Sequence, residues 1–131
     1  MRFFAIVLVL MCISAPARSA DANGTTLLRD CGAAVRYMDD DNLKNVETVQ
    51  GSAFCFGLVQ GVVTTNQIYQ KITPDKALFC VPPTGVNNGQ AARVVAKYLR
   101  DNPKELHQPD TFLVVMALRD AFPCQGTQAE R

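Results

Sequence analysis

Four cysteines constrain the possible fold of this chain of 131 residues more than any other feature. They are Cys31, Cys55, Cys80 and Cys124, and a fifth, Cys12, lies in an apolar N-terminal segment. An even number of cysteines in an exported domain predicts disulfide pairs, because the compartments outside the cytoplasm are oxidising. Four cysteines allow three pairings, so the choice between them depends on where the helices lie.

The N-terminal segment is typical of a secretory signal peptide. Arg2 supplies the positive charge, residues 3–13 are apolar, and small residues follow from Ser14 onward. The apolar stretch is too short to cross a bilayer as a helix. We therefore expect residues 1–20 to be removed on export, with the cleavage site between positions 17 and 22.

The exported part, residues 21–131, is expected to be one domain of ordinary size without a membrane segment. Lipid attachment at Cys12 is the alternative to cleavage, and it is disfavoured by Met11, because lipoproteins carry a small residue there. Loss of Arg2 and Arg18 leaves 11 basic residues against 12 acidic ones. No basic block remains, so we expect no binding to nucleic acid.

The most informative stretch is residues 51–68, which predicts a central helix. Its apolar and small residues recur at the spacing of one helix face: Phe54, Leu58, Gly61, Val62 and Thr65. Gly57 and Gly61 each cost about 1 kcal/mol relative to alanine within a helix. Four positions apart, they would let another helix approach closely. A membrane dimerisation motif is disfavoured, because polar residues interrupt any apolar span: Gln60, Asn66 and Gln67.

Three further helices are predicted around this one. The first is capped by Thr25 or Thr26 and carries an apolar stripe: Leu27, Leu28, Cys31, Ala34, Val35 and Met38. The third is capped by Asn87, with Gln90 three residues later as in a capping box, and stops before Pro103. The last helix covers residues 110–122. The fold class is therefore all-α, a small disulfide-bonded bundle of about four helices in two helical hairpins.

The hairpins favour one pairing of the cysteines. Cys31 and Cys55 lie at equal distances on either side of the first loop, so antiparallel helices would bring them to the same level. Cys80 precedes the third helix and Cys124 follows the fourth, at the open ends of the second hairpin. We predict the disulfides Cys31–Cys55 and Cys80–Cys124.

No catalytic, metal or cofactor site is predicted. His107 could act with a cysteine thiol as a hydrolase, but a sulfur in a disulfide is not a nucleophile. The cysteines lack the close spacing of zinc ligands. Asp39, Asp40 and Asp41 resemble the start of a calcium loop, yet the next positions lack the required oxygen ligand and glycine.

Four segments, read together, resemble the Rap/Tai family of periplasmic immunity proteins against type VI secretion amidase effectors. They are FCFGLVQG (54–61), CVPPTGVNNGQ (80–90), VVAKYLRDNPKELHQP (94–109) and ALRDAFPC (117–124). The resemblance implies an all-helical, non-enzymatic homodimer. Its partner would be a secreted peptidoglycan amidopeptidase, whose active site it covers.

Candidate partner contacts follow from the predicted loops. The acidic loop (Asp39, Asp40, Asp41 and Asn42) and the turn with His107 and Gln108 are expected at one end of an up-down-up-down bundle. The stiff tip formed by Pro82, Pro83 and Thr84 is expected at the other end. The alternative function is a small periplasmic acid-stress chaperone or envelope-structural protein, which could also be helical, dimeric and disulfide-bonded.

Overall fold

A computed structural model describes residues 22–40 and 45–124 of the chain. The predicted signal peptide (1–20) and two residues of the acidic loop, Asp41 and Asn42, lie outside the described residues. The described part contains four α-helices and no strand beyond an isolated bridge between Asn23 and Pro109. The predicted all-α fold is confirmed. The helices are α1 (Gly24–Asp40), α2 (Val46–Ile72), α3 (Asn88–Asp101) and α4 (Asp110–Ala121).

Asparagine side chains cap the first three helices. The side-chain oxygen of Asn87 accepts a hydrogen bond from the backbone N–H of Gln90 (2.8 Å), which confirms the predicted start of α3. Asn45 caps α2 through Thr48 (2.9 Å), so α2 begins at Val46, before the predicted stretch of residues 51–68. The cap of α1 is Asn23 and not one of the predicted threonines, because its side-chain oxygen accepts from the first-turn N–H groups of Thr25 (3.0 Å) and Thr26 (3.2 Å).

Both predicted disulfides are present. Cys31–Cys55 joins α1 to α2 with 5.1 Å between the Cα atoms, and both residues are fully buried. Cys80–Cys124 joins the segment before α3 to the end of α4 with a Cα separation of 4.8 Å. The two covalent links therefore tie together the helix pairs that the sequence predicted.

The apolar face predicted for α2 is not the face that the structure buries. The buried residues of this helix lie on the neighbouring face, the one that carries the disulfide: Gly51, Ser52, Cys55, Val59, Val63 and Asn66. Phe54, on the predicted face, is 47% exposed, and Gly61 and Thr65 are exposed as well. The rotation follows from Cys55, since a sulfur bonded to α1 must face α1.

The close approach of α1 and α2 depends on a different glycine from those predicted. A Cβ atom at Gly51 would lie 2.7 Å from the Asp30 Oδ1 atom of α1, which is closer than atoms pack. A Cβ atom at Gly57 or Gly61 would have no neighbour within 4 Å from any other described element of the chain. Gly57 and Gly61 therefore do not pack against another described helix of this chain, and the prediction that they do is wrong.

The predicted up-down-up-down arrangement is also wrong. The backbone N–H groups of Gly24 and Thr25 donate to the carbonyls of Gln108 (3.0 Å) and Leu106 (3.2 Å), so the turn before α4 lies at the start of α1. Arg93 of α3 bonds to Asp39 at the end of α1. The turn and the acidic end are thus separated by most of α1, about 20 Å at 1.5 Å per residue.

The connection between α2 and α3 explains this arrangement. Asn66 and Gln70 bind the backbone at residues 78–81, and Asn88 donates to the carbonyl of Phe56 (3.1 Å). The chain therefore runs back beside α2 before α3 begins. As a result α3 runs antiparallel to α1, and α4 returns in the direction of α1.

The core lies between all four helices. Its fully buried large side chains come from every helix and from the connection before α3: Leu27, Val59, Phe79, Val95, Leu99, Leu113, Val114 and Leu118. On α4, which is apolar all round, the bundle covers Leu113 and Leu118 but leaves Phe112 48% exposed.

The glycines of α1 and α2 should respond oppositely to alanine. At Gly24, a Cβ atom would overlap the Leu113 Cδ1 atom and lie 2.8 Å from the Leu106 Cα atom. We expect Gly24→Ala to lower the free energy of unfolding by about 1–3 kcal/mol, as overpacking does. Gly57→Ala meets nothing and should raise it by about 1 kcal/mol in the monomer through helix propensity. Urea unfolding of both variants at low protein concentration measures this, and equal effects would contradict it.

Candidate protein-binding surfaces

The predicted tip is an exposed turn between Cys80 and α3, and we call Pro82, Pro83 and Thr84 the proline tip. All three residues are exposed. The N–H of Gly85 donates to the carbonyl of Pro82 (2.8 Å), which closes the turn. Gly85 has a φ of 77°, a conformation that glycine adopts at little cost. Two proline rings and a closed turn leave this tip few conformations.

Two amide side chains of α2 hold the segment that leads into the proline tip. The buried Asn66 donates to the carbonyl of Phe79 (2.6 Å) and accepts from the N–H groups of Leu78 (2.8 Å) and Phe79 (3.4 Å). One turn later, Gln70 accepts from the N–H of Val81 (3.1 Å) and donates to its carbonyl (3.4 Å). These side chains satisfy backbone groups that have no helix partner. Sequence reasoning missed both residues.

The second disulfide holds the same segment from the other side. Beside the sulfur bond to Cys124, the N–H of Cys80 donates to the carbonyl of Phe122 (2.8 Å) at the end of α4. The proline tip is therefore fixed to α2 by side-chain amides and to α4 by a covalent bond. Little ordering would be needed if it bound a partner, which favours affinity.

The two disulfides should differ in their response to reductant. Cys31 and Cys55 are fully buried, whereas Cys80 and Cys124 are partly exposed. Thiolate attack requires access to a sulfur, so we expect native protein in mild reductant to lose Cys80–Cys124 first. Alkylation at timed intervals followed by peptide mass spectrometry measures the order. Alkylated Cys31 or Cys55 appearing first would contradict the expectation.

The acidic end of α1 is a second exposed surface. Asp39 and Asp40 lie in the last turn of the helix, where the sequence predicted a loop. The guanidinium of Arg93 lies 2.6 Å from the Asp39 carboxylate and holds the pKa of Asp39 below its usual value. A lowered pKa means that this pair contributes stability above the unfolded pKa of Asp39. The contribution is lost as the pH falls through the lower, folded value.

The turn with His107 and Gln108 is a third exposed surface. The His107 Nδ1 atom lies 3.0 Å from the Lys104 carbonyl oxygen and therefore donates to it. The Nε2 atom then accepts from the Gln108 amide nitrogen at 3.1 Å. Both ring nitrogens are occupied by local hydrogen bonds. With Cys31, Cys55, Cys80 and Cys124 all in disulfides, His107 has none of these thiols to activate.

The structure does not bring the three predicted surfaces together. Among the described residues, no hydrogen bond or ion pair joins the acidic end, the proline tip and the His107 turn. Residues 22–40 and 45–124 also contain no group of three or more histidine, cysteine or acidic residues arranged to hold a metal ion.

A fourth surface was not predicted as a binding surface. It is the face of α2 on which the predicted apolar and small residues lie, and we call it the glycine face: Phe54, Gly57, Leu58, Gly61, Thr65 and Ile68. Four of these residues (Gly57, Leu58, Gly61 and Thr65) line an apolar groove of about 390 Å³, whose other walls include Val62, Tyr69, Leu78, Thr111 and Val115. The signal in the sequence was the pair of glycines, which needed a reason to lie in a helix.

Comparison with known proteins gives one match. The model of the Rap1a immunity proteins matches residues 23–124, from the cap of α1 to the second disulfide. No curated protein and no solved structure matches the chain. None of the helices in the described ranges has the length and apolar character needed to cross a membrane. The family match covers most of the chain and includes every helix described above, so this chain belongs to the Rap1a immunity protein family.

Proposed function

We propose that this protein is exported to the periplasm and there neutralises a type VI secreted peptidoglycan amidase by covering its active site. The observation that carries the proposal is the family match over residues 23–124, since an immunity protein acts by binding a secreted effector. The two disulfides agree with an oxidising compartment. Residues 1–20 would serve as the signal peptide and residues 21–131 as the inhibitory domain.

The proline tip is the element we propose to enter the amidase cleft. Pro82, Pro83 and Thr84 form a convex, exposed turn, and a cleft requires a convex element to fill it. The tip is held at its base by Asn66, Gln70 and the Cys80–Cys124 bond, so binding would order few groups. Asp39 and Asp40 lie beside α3, the helix that follows the tip, whereas His107 and Gln108 lie at the start of α1. These four residues would contribute at most the rim of the contact.

Co-expression with amidases directed to the periplasm tests the function. The intact protein should prevent the lysis that a cognate amidase causes, and Thr84→Arg should remove the protection. Asp40→Lys, in the last turn of α1, is the control for an added positive charge and should still protect. If Thr84→Arg protects while Asp40→Lys fails, the acidic end docks and the tip assignment is wrong. If the intact protein rescues cells from no amidase of a broad panel, the amidase target itself is wrong.

One observation favours the rival function of an acid-stress chaperone, namely the exposed apolar glycine face. Such a chaperone opens when carboxylates at its interface are protonated. Residues 48–70 contain no Asp, Glu, Lys, Arg or His, so the glycine face carries no such trigger. We therefore expect helix content and oligomeric state to persist at pH 3. Circular dichroism and light scattering at that pH distinguish the two, since a chaperone would dissociate and suppress aggregation of other proteins.

We also propose that the protein acts as a homodimer, as the family resemblance implies. A dimer presents two proline tips and could bind two effector molecules. Which surface would join the copies is a separate question.

A further inference from the structure

The glycine face is unusual for the outside of a soluble helix. α2 has 27 residues and is about 40 Å long. A helix that faces water normally carries charged residues on its outer side, yet residues 48–70 contain none. Instead Phe54 is 47% and Ile68 53% exposed, with exposed glycines between them. A continuous apolar surface of this kind marks a contact with another molecule.

We propose that the glycine face is the contact with a second copy of this chain, with the two α2 helices crossing antiparallel at Gly61. This inference rests on the homodimer of the proposed function and adds the surface that forms it.

The pattern of side chains along the face is symmetric about Gly61. Gly57 and Thr65 lie four positions before and after it, and Phe54 and Ile68 lie seven positions before and after it. In an antiparallel contact with a two-fold axis near Gly61, each residue meets its counterpart. Phe54 would pack against Ile68 of the partner subunit, and Gly57 against Thr65 of the partner subunit. Large side chains would flank a centre of small ones, which lets the two backbones approach closely.

The absence of charge on the glycine face favours a second copy of this chain as the molecule that contacts it. In a two-fold contact the same patch meets itself, so any charge near the axis would face a like charge. An uncharged patch avoids that repulsion, whereas an effector recognised by charge would need a charged counterpart. The groove that these residues line extends the apolar surface of the glycine face to Tyr69 and Leu78. Stable dimers bury about 800 Å² per partner, which a crossing of two long helices with flanking side chains can supply.

The glycines also make the contact testable without disturbing the monomer. Apart from its chain neighbours and the nearby backbone of α2 itself, no described residue has an atom within 4 Å of a Cβ atom at Gly61. Arginine has a higher helix propensity than glycine, so Gly61→Arg should leave the fold of one copy intact. Gln60 is the matched control, because it is exposed and lies 100° around the helix, outside the groove.

Light scattering after size-exclusion chromatography should be applied to the oxidised protein purified from the periplasm. We expect twice the chain mass for the intact protein and for Gln60→Arg. Gly61→Arg should give the mass of one chain, with the dimer dissociation constant raised about 100-fold or more, because the change occurs twice in a symmetric contact. Unchanged circular dichroism of Gly61→Arg confirms that its fold is retained. Ile68→Lys, at the edge of the same contact, should also weaken the dimer.

Three results would overturn the inference: a monomeric intact protein, a Gly61→Arg variant that remains dimeric, or a Gln60→Arg variant that dissociates as readily as Gly61→Arg. Assaying amidase binding by the same variants separates this inference from the proposed function. If Gly61→Arg stays dimeric but no longer binds amidase, the face belongs to the effector and the inference fails while the proposed function stands. If the glycine face forms the dimer but no amidase binds, the inference stands and the proposed function fails.

Discussion

Replacing Cys31 and Cys55 together with alanine is expected to lower the free energy of unfolding by about 3–5 kcal/mol. The bond closes a separation of 24 residues, and the chain-entropy model assigns such a loop about 3.5 kcal/mol. Both sulfurs are also fully buried between α1 and α2, so their removal leaves poorly filled space in the core. Guanidinium unfolding of the oxidised protein and of the double variant measures the loss.

The control for this prediction is Cys80→Ala with Cys124→Ala. That bond closes a longer separation, 44 residues, but its sulfurs are partly exposed, so the variant tests loop closure with little change in the core. Both double variants should be clearly less stable than the intact protein. If reductant and both double variants leave the unfolding midpoint unchanged, the disulfides do not stabilise this fold.

Asn66→Ala is expected to lower the free energy of unfolding by about 3 kcal/mol. The substitution would leave the buried carbonyl and N–H of Phe79 without partners, and each unsatisfied buried group costs about 1–3 kcal/mol. Phe79 is the largest fully buried side chain, so loosening its backbone would also disturb the core. Thermal and urea unfolding measure the stability, and hydrogen exchange at residues 78–81 reports the local loosening.

Gln70→Ala is the matched control for Asn66→Ala. It removes the same kind of bond one turn away, at a partly buried site with longer distances of 3.1 and 3.4 Å. We expect a loss of about 1 kcal/mol, typical of one net hydrogen bond. A larger loss for Gln70→Ala than for Asn66→Ala would contradict the assignment of Asn66 as the main anchor of the proline tip.

The sequence predicted the disulfide pairs and the ends of α3 correctly. The disulfide pairs followed from the positions of Cys31, Cys55, Cys80 and Cys124 relative to two hairpins, and the structure contains both pairs. The start of α3 at Asn87 and its stop before Pro103 followed from capping and from proline's missing N–H.

The face of α2 could not be found from periodicity because residues 48–70 carry no charge on any side. Without charged residues to mark the water-facing side, two apolar faces compete, and the one with more large side chains was the wrong choice. Cys55 indicates which face of α2 is buried, because its bond to Cys31 fixes the rotation of the helix about its axis.

The direction of α3 was missed for a different reason. The connection of residues 73–87 is long enough either to turn sharply or to run back along α2. The sequence signal for the second path was the pair Asn66 and Gln70, polar residues four apart near the C-terminal end of α2. Both side chains form hydrogen bonds with backbone groups. Because every residue has such groups, the sequence does not show which segment they bind.

The most direct test of the account is to measure peptidoglycan cleavage by a secreted amidase while the oxidised protein is added in increasing amounts. The account predicts that cleavage by a cognate amidase falls linearly and stops near one immunity chain per amidase molecule. It also predicts that Thr84→Arg shifts this inhibition to much higher concentration, whereas Asp40→Lys does not. Full cleavage by every amidase of the panel in the presence of about a tenfold excess of the intact protein would contradict it.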